Sequence, residues 1–281
     1  MSSTPPRLVQ DQVDFISGKT RIYGIVGHPI EQVRSPEMVT AEFQARGHDG
    51  IMLPFHVLPE EFETACATFL KMPNLDGLIF TIPFKGRACA FADELGPNAK
   101  ISGAINALAR RPGGGWRGEM FDGLGCVEGF RQRGISFRGK RLTLMGAGGA
   151  GGAIGVAIAH EKPLFMRIFD MDTARVEDLA RRIRSVDAGI AIEIATARHD
   201  DVDILLNATP VGMLGDPRMP IAAERFDAKL IVFDAIVKPE TSPLLALAER
   251  SGCTVVRGRE MMLGQIFRIA DYFGCPPRLS P

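Results

Sequence analysis

The chain has 281 residues, enough for two compact domains or one large one, each with a substantial core. Lysine plus arginine match aspartate plus glutamate at 33 each, so no global basic field recruits nucleic acid or an anionic membrane, and a small molecule is the expected partner. Cys66, Cys89, Cys126, Cys253 and Cys275 are odd in number, widely spaced and never arranged as CxxC, which reads as reduced thiols in a cytoplasmic protein rather than a disulfide framework or zinc knuckle.

Met1 to Thr20 is polar and contains Pro5 and Pro6, unlike the apolar core of a signal segment, and reads as loose. No later stretch approaches the ~20 apolar residues of a membrane span. Arg21 to Val26 reads as a strand and His28 to Arg34 as a loop, after which Ser35-Pro36 starts a helix, serine as N-cap and proline at the first position, that runs to Gly47. Ser35 on its own is as readily a cap as a ligand group. Ile51 to Val57 is a second strand, Pro59 to Lys71 a helix, and Leu78 to Phe80 a third strand. Thr81-Ile82-Pro83-Phe84-Lys85 follows directly, where α/β folds place ligand groups, so Thr81 and Lys85 can both face a cleft. Ala104 to Leu108 reads as a strand in which Asn106, set among apolar neighbours, needs partners. Arg111 to Gly115 is a turn, and Asp122-Gly123 opens a helix ending near Gly134, with Asp122 alone most readily an N-cap.

The strand Leu142 to Met145 leads into Gly146-Ala147-Gly148-Gly149-Ala150-Gly151-Gly152, and the next apolar run, Phe165 to Phe169, closes on Asp170. Glycines there permit a tight strand-to-helix turn and let backbone N–H groups approach a pyrophosphate. An acid about 20 residues further on can accept hydrogen bonds from both hydroxyls of an adenosine ribose. A dinucleotide site is the expectation, with a substrate-holding segment upstream of it. A helix at Thr173 to Arg184, strands near Ala191 to Ala195, Val202 to Asn207 and Lys229 to Asp234, a helix at Ser242 to Arg250, a strand at Thr254 to Val256 and a helix from about Glu260 to Phe273 complete a doubly wound parallel sheet. Gln265 lies off the apolar face of that last helix. The five histidines show no HExxH or other ligand spacing, so no metal is expected.

From Tyr23 to Phe273 these segments resemble the shikimate and quinate dehydrogenase family. The resemblance is carried by Gly27-His28-Pro29-Ile30 through Ser35-Pro36, Thr81 to Lys85, Gly103 to Asn106, Phe121-Asp122-Gly123, the glycine loop, Asn207-Ala208-Thr209 and Met261 to Gln265. It implies an α/β substrate domain, residues 1–121 completed by 258–281, beside a Rossmann-type dinucleotide domain, 122–257, with a cleft between them. It implies Lys85 and Asp122 as the catalytic pair and Ser35, Thr81, Asn106 and Gln265 as substrate ligands. It also implies Gly146, Gly148, Gly149, Ala150, Gly151, Asp170, Met171, Arg175, Asn207 and Thr209 around the cofactor, and a monomer or homodimer. The chemistry agrees with these roles independently, because oxidising a secondary alcohol needs a group that takes the hydroxyl proton, as a neutral amine can.

Two positions depart from the family pattern. Its shikimate-using members typically carry two hydroxyl residues before the first helix, both engaging the substrate carboxylate; here the first is Val33 and only Ser35 remains. A tyrosine that commonly follows the strand ending at Asp234 is replaced by Val237. Each hydrogen bond lost to a charged group costs roughly 1.5–3 kcal/mol, which points to a related cyclic polyol, its carboxylate moved or altered. Where NADP-using relatives place asparagine and arginine, the chain has Asp170 and Met171. A carboxylate about 4 Å from a 2′-phosphate is repelled by roughly 1–4 kcal/mol, which favours NAD, although Arg175 one helical turn on keeps NADP possible. The expected function is therefore an NAD-favouring dehydrogenase of shikimate, quinate or a related cyclic polyol carboxylate. The alternatives are an NADP-dependent shikimate 3-dehydrogenase of aromatic amino-acid biosynthesis and, in another class, a non-catalytic ligand sensor.

Overall fold

The computed structural model describes residues 16–278; residues 1–15, most of the stretch expected to be loose, and residues 279–281 lie outside the described residues. Two sheets of six strands organise them.

The first sheet is built by β1 (Arg21–Gly27), β2 (Gly50–His56), β3 (Leu75–Phe80), β4 (Glu94–Leu95), β5 (Ala107–Arg110) and β6 (Trp116–Glu119), in the order β2-β1-β3-β5-β6-β4. It is mixed: β1 runs parallel to β2 and β3, whereas β5 is antiparallel to both β3 and β6. Helices α1 (Ser35–Ala45), α2 (Phe62–Phe69) and α3 (Pro97–Ser102) accompany it. Strands β4 and β6 and helix α3 have no counterpart in the sequence reading. Trp116-Arg117-Gly118-Glu119 shows no apolar alternation, and its pairing with β5 follows from the tight Arg111–Gly115 turn, closed by Arg111 N–H donating to Gly115 O at 2.9 Å.

After α4 (Asp122–Gln132), the second sheet comprises β7 (Arg141–Met145), β8 (Phe165–Phe169), β9 (Ala191–Ile194), β10 (Ile204–Asn207), β11 (Ile231–Asp234) and β12 (Thr254–Arg257). All its pairings are parallel, in the order β12-β11-β10-β7-β8-β9. That is the doubly wound nucleotide-binding order, in which ligands bind beyond the strand ends at the switch point between β7 and β10. Helices α5 (Gly149–His160), α6 (Thr173–Val186) and α7 (Pro243–Arg250) flank it. Asp172 caps α6 by accepting from Ala174 N at 3.1 Å and Arg175 N at 3.4 Å, and Ser242 caps α7 by accepting from Leu245 N at 3.3 Å.

Helix α8 (Gly258–Tyr272) follows β12 but returns to the first sheet, where Met262, Ile266, Ile269 and Phe273 pack with Tyr23, Val39 and Phe43. It starts at Gly258 rather than Glu260 because the Glu260 carboxylate reaches back to accept from Arg257 N–H at 2.6 Å, fixing the first turn ahead of the glutamate. Small residues let α4 and α8 cross closely: a Cβ on Gly264 would lie 2.6 Å from Gly125 O. This crossing brings the first residue of α4, Asp122, beside Gln265.

Three local expectations change. Arg34, not Ser35, occupies the N-cap position of α1; Ser35 is the first helical residue and its hydroxyl caps nothing, because Pro36 is as well tolerated one position further into the first turn. Asp122 likewise is the first residue of α4 after Phe121 at the cap, with no capping bond. Asn106 precedes β5 rather than sitting inside it, since the antiparallel pairing with β3 begins at Ala107.

Candidate active site

The C-terminal ends of β1 and β3 are tied together by Thr81 N–H donating to Val26 O at 3.0 Å and His28 N–H to Ile82 O at 2.9 Å. The loops after both strands therefore emerge side by side. Phe84, fully buried and stacked on Phe62 at 4.2 Å, pins the Thr81–Lys85 turn from below, and Ile105 N–H donates to Lys85 O at 2.9 Å. Lys85 is thus presented from a rigid turn to a solvent-open cleft that is also lined by Ala150, Thr209 and Gln265.

Four expected residues form one chain of contacts. Lys85 Nζ donates to Asp122 Oδ2, and among the described residues that is its only partner, so further positions on the amine face the cleft. Asn106 Nδ2 donates to Asp122 Oδ1 at 2.9 Å and to Gln265 Oε1 at 2.8 Å, while its Oδ1 accepts from Phe121 N at 2.9 Å. Both Nδ2 donors of Asn106 and one acceptor position of its Oδ1 are thereby committed, which fixes the side chain and lets it orient both neighbours. The ion pair is largely withdrawn from solvent, Lys85 being 13% and Asp122 4% exposed, a setting in which a carboxylate needs its extra hydrogen bond. Ser35, Thr81, Val33 and Val237 all line the same cleft. The two valines also pack against the apolar cluster that contains Met262 and Ile266.

The second unit supplies the opposite wall. Gly146 has φ 97°, and a methyl on Gly151 would collide with Gly146 O, so the loop is a cradle that only glycine leaves open. A Cβ on Gly149 would sit 3.1 Å from Lys85 Cβ, which puts the start of α5 directly against the lysine. The bare backbone, the helix N-terminus at Gly149 and the adjacent acid fit a dinucleotide. Asp170 braces the loop, accepting from Ala147 N at 2.7 Å with one oxygen and from Asp172 N at 3.0 Å with the other. Met171 is 95% exposed beside it. Arg175 pairs with Asp172 at 3.2 Å, and its Nη1 reaches within 4.0 Å of a Cβ position on Gly148.

Asn207 lies in register with Met145 on β7 and with Asp234 on β11. Its Oδ1 accepts from Thr209 N at 2.9 Å and Thr209 Oγ1 at 2.7 Å, and its Nδ2 donates to Asp234 Oδ1 at 3.0 Å. Asp234 also accepts from Ile236 N at 3.0 Å and Ser242 Oγ at 2.5 Å. Its complete burial pushes the carboxyl up to about 7 against the pull of these three bonds. The network joins the cleft-lining segments at Thr209 and Val237, and sequence reading missed Asp234 and Ser242. The signal available was a strand ending in an acid, the same pattern that singled out Asp170. Gln32 and Arg34 were missed too, and both line the cleft. Gln32 Nε2 donates to Pro29 O at 2.7 Å, leaving Oε1 buried without a partner among the described residues.

All five cysteines are free thiols. Among the described residues no group of three or more His, Cys, Asp or Glu could hold a metal ion, and no helix is long and apolar enough to cross a membrane.

Residues 25–108 match the family described as the shikimate dehydrogenase substrate binding domain. The chain is 34% identical over 260 residues to the shikimate dehydrogenase (NADP(+)) of Methanobrevibacter smithii, spanning 89% of this chain and 90% of that one. Among solved structures it is similar to shikimate 5-dehydrogenase from Listeria monocytogenes in complex with shikimate and NAD, with TM-score 0.79, 29% identity and coverage of 92% and 93% of the two chains. It is also similar to the ligand-free 5-ketofructose reductase of Gluconobacter sp. strain CHM43, with TM-score 0.77, 25% identity and coverage of 92% and 94%.

Proposed function

The chain belongs to the shikimate dehydrogenase family of NAD(P)-dependent oxidoreductases, and from that premise we propose that it transfers hydride between a nicotinamide dinucleotide and a secondary hydroxyl of shikimate, quinate or a closely related cyclic polyol carboxylate. The observation that carries the proposal is the contact chain Lys85–Asp122–Asn106–Gln265 with the glycine loop against Lys85. The bound dinucleotide supplies the hydride acceptor in one direction and the donor in the other. In the oxidative direction the neutral Lys85 amine accepts the proton of the reacting hydroxyl; in reduction its ammonium returns a proton to the developing alkoxide. Asp122 holds the amine and accepts a hydrogen bond from a neighbouring substrate hydroxyl. Gln265, Ser35 and Thr81 fix the ring by its remaining oxygens, and the wall made by Met262, Ile266 and the two valines excludes water from one face.

Gly146 through Gly151 hold the pyrophosphate, and Asp170 accepts from the ribose hydroxyls. Asp170 and Met171 support NAD as the preferred cofactor. The NADP(+) in the name of the M. smithii relative supports the alternative, an NADP-linked shikimate 3-dehydrogenase, and Arg175 beside Gly148 is a group that can meet a 2′-phosphate. The sensor reading has nothing in its favour, since the proton-transfer pair is intact. The test is reduced-nicotinamide absorbance with shikimate and quinate, each with NAD and NADP. Turnover with a lower KM for NAD is expected; a lower KM for NADP decides for the alternative, and binding of shikimate without turnover sinks both.

A further inference from the structure

Helix α3 ends just before Asn106, and its end is met by a side chain from the far side of the second sheet. Ser102, the last residue of α3, is buried, so its carbonyl, one of the orphan acceptors at a helix end, needs a protein donor. Arg182 on α6 is that donor: its Nη1 bonds Ser102 O, and its Nη2 pairs with Asp178 one turn back. Gly103 leaves the room for it, having φ 64° and a Cβ position only 2.9 Å from Nη2. The guanidinium fork is therefore held on its own helix and aimed across at the first sheet's α3.

The segment it grips carries the reacting centre. Ser102 Oγ donates to Ala104 O at 3.1 Å, Ile105 N–H donates to Lys85 O at 2.9 Å, and Asn106 holds Asp122 and Gln265. The start of α5 bears on the same residues, since Cβ positions on Gly149 and Gly152 lie 3.8 Å from Ala104 Cβ and 4.0 Å from Ser102 O. Residues 102–106 thus sit between the helix of the glycine loop and the Arg182 clasp, and α6 itself packs on α5.

Resting on the dehydrogenase reading above, we propose that Arg182 is a positioning residue for hydride transfer. It locks the segment that carries Asn106 against α5 and so fixes the spacing between the ring held by one sheet's loops and the nicotinamide held by the other's, while touching neither. Each ligand's affinity is set mainly on its own side of the cleft. The distance between them is set by contacts that cross it, and a misplacement of about 1 Å can slow a reaction by about 10²-fold.

The test compares the full chain with Arg182→Gln and Arg182→Lys. The readouts are kcat and KM with shikimate and quinate under NAD and NADP, calorimetric Kd of each dinucleotide alone, and amide hydrogen exchange of residues 97–106. In Arg182→Gln, kcat is expected to fall about 10- to 100-fold with the binary Kd changed no more than about twofold. Exchange at Gly103 and Ile105 should quicken by about tenfold while that of β11 stays as in wild type, and Arg182→Lys should recover part of both effects. An unchanged kcat or an unchanged exchange rate overturns the proposal, and so does a fall in kcat matched by an equal loss of dinucleotide affinity, which marks general loosening. Should Arg182→Gln melt early, Arg182→Met, which keeps the apolar stem, is read in its place. Wild-type protein that turns over neither substrate would sink the dehydrogenase reading alone, because the exchange comparison still decides whether Arg182 holds the segment.

Discussion

Replacing Asp234 by asparagine should change how stability depends on pH. The Asp234 carboxyl is fully buried and its pKa is pushed up to about 7, against an ordinary value of 3.8. An acid whose folded pKa is raised binds more protons in the folded chain than in the unfolded one between those two values. Its penalty is absent below about pH 4, grows as pH rises through the window and is complete above about pH 7. A shift of about 3 units at 1.36 kcal/mol each gives roughly 4 kcal/mol of stability lost across the window. The substituted carboxamide keeps an acceptor for Asn207 Nδ2 and Ile236 N and offers an N–H to Ser242 Oγ, so the network survives without the charge. Urea unfolding of both proteins at steps from pH 5 to pH 8 should show the asparagine variant gaining on the wild type by about 2–3 kcal/mol as pH rises, the rest of the loss having accrued below pH 5. Taking the difference between the two removes the contribution of other titrating groups, such as His48, whose burial holds its pKa low. Parallel curves would refute the reasoning, since they would mean that Asp234 stays ionised and that its three hydrogen bonds outweigh its burial.

Restoring the two missing donors with Val33→Ser and Val237→Tyr should lower KM for shikimate by about tenfold or more; an unchanged KM would show that neither position faces the carboxylate. Asp170→Ser with Met171→Arg removes a repelling carboxylate and adds a cation, so the kcat/KM ratio should move toward NADP by about tenfold to a thousandfold. No movement would place the 2′-phosphate away from this corner.

The second sheet was legible because each of its elements is signalled locally. Leu142 to Met145 and Ile204 to Asn207 are short apolar runs ending in turn residues, and their parallel register needs only the glycine loop and the crossover rule. The first sheet was legible in β1, β2 and β3 and, with shifted bounds, in β5, but not in β4 or β6. Trp116-Arg117-Gly118-Glu119 is a strand because β5 pairs with it, and α3 is six residues, one of whose N–H groups is met by the distant Glu119, which accepts from Ala99 N at 2.8 Å. Such long-range partners leave no period in the sequence. The same contrast holds in the cleft. Lys85, Asn106 and Asp122 stand out as polar residues at strand or helix ends among apolar neighbours. Asp234 ends an apolar strand in the same way, but its burial and bonds are made by β10, α7 and the Ile236 backbone together, which no local pattern announces.

The proposed oxidation depends on proton transfer by the lysine that Asp122 holds. Its most direct test is kcat for shikimate oxidation by Lys85→Ala beside wild type at saturating cofactor. The expected result is a fall in kcat of about 10²- to 10⁴-fold with KM changed only a few-fold. A variant that turns over shikimate at the wild-type rate would contradict it.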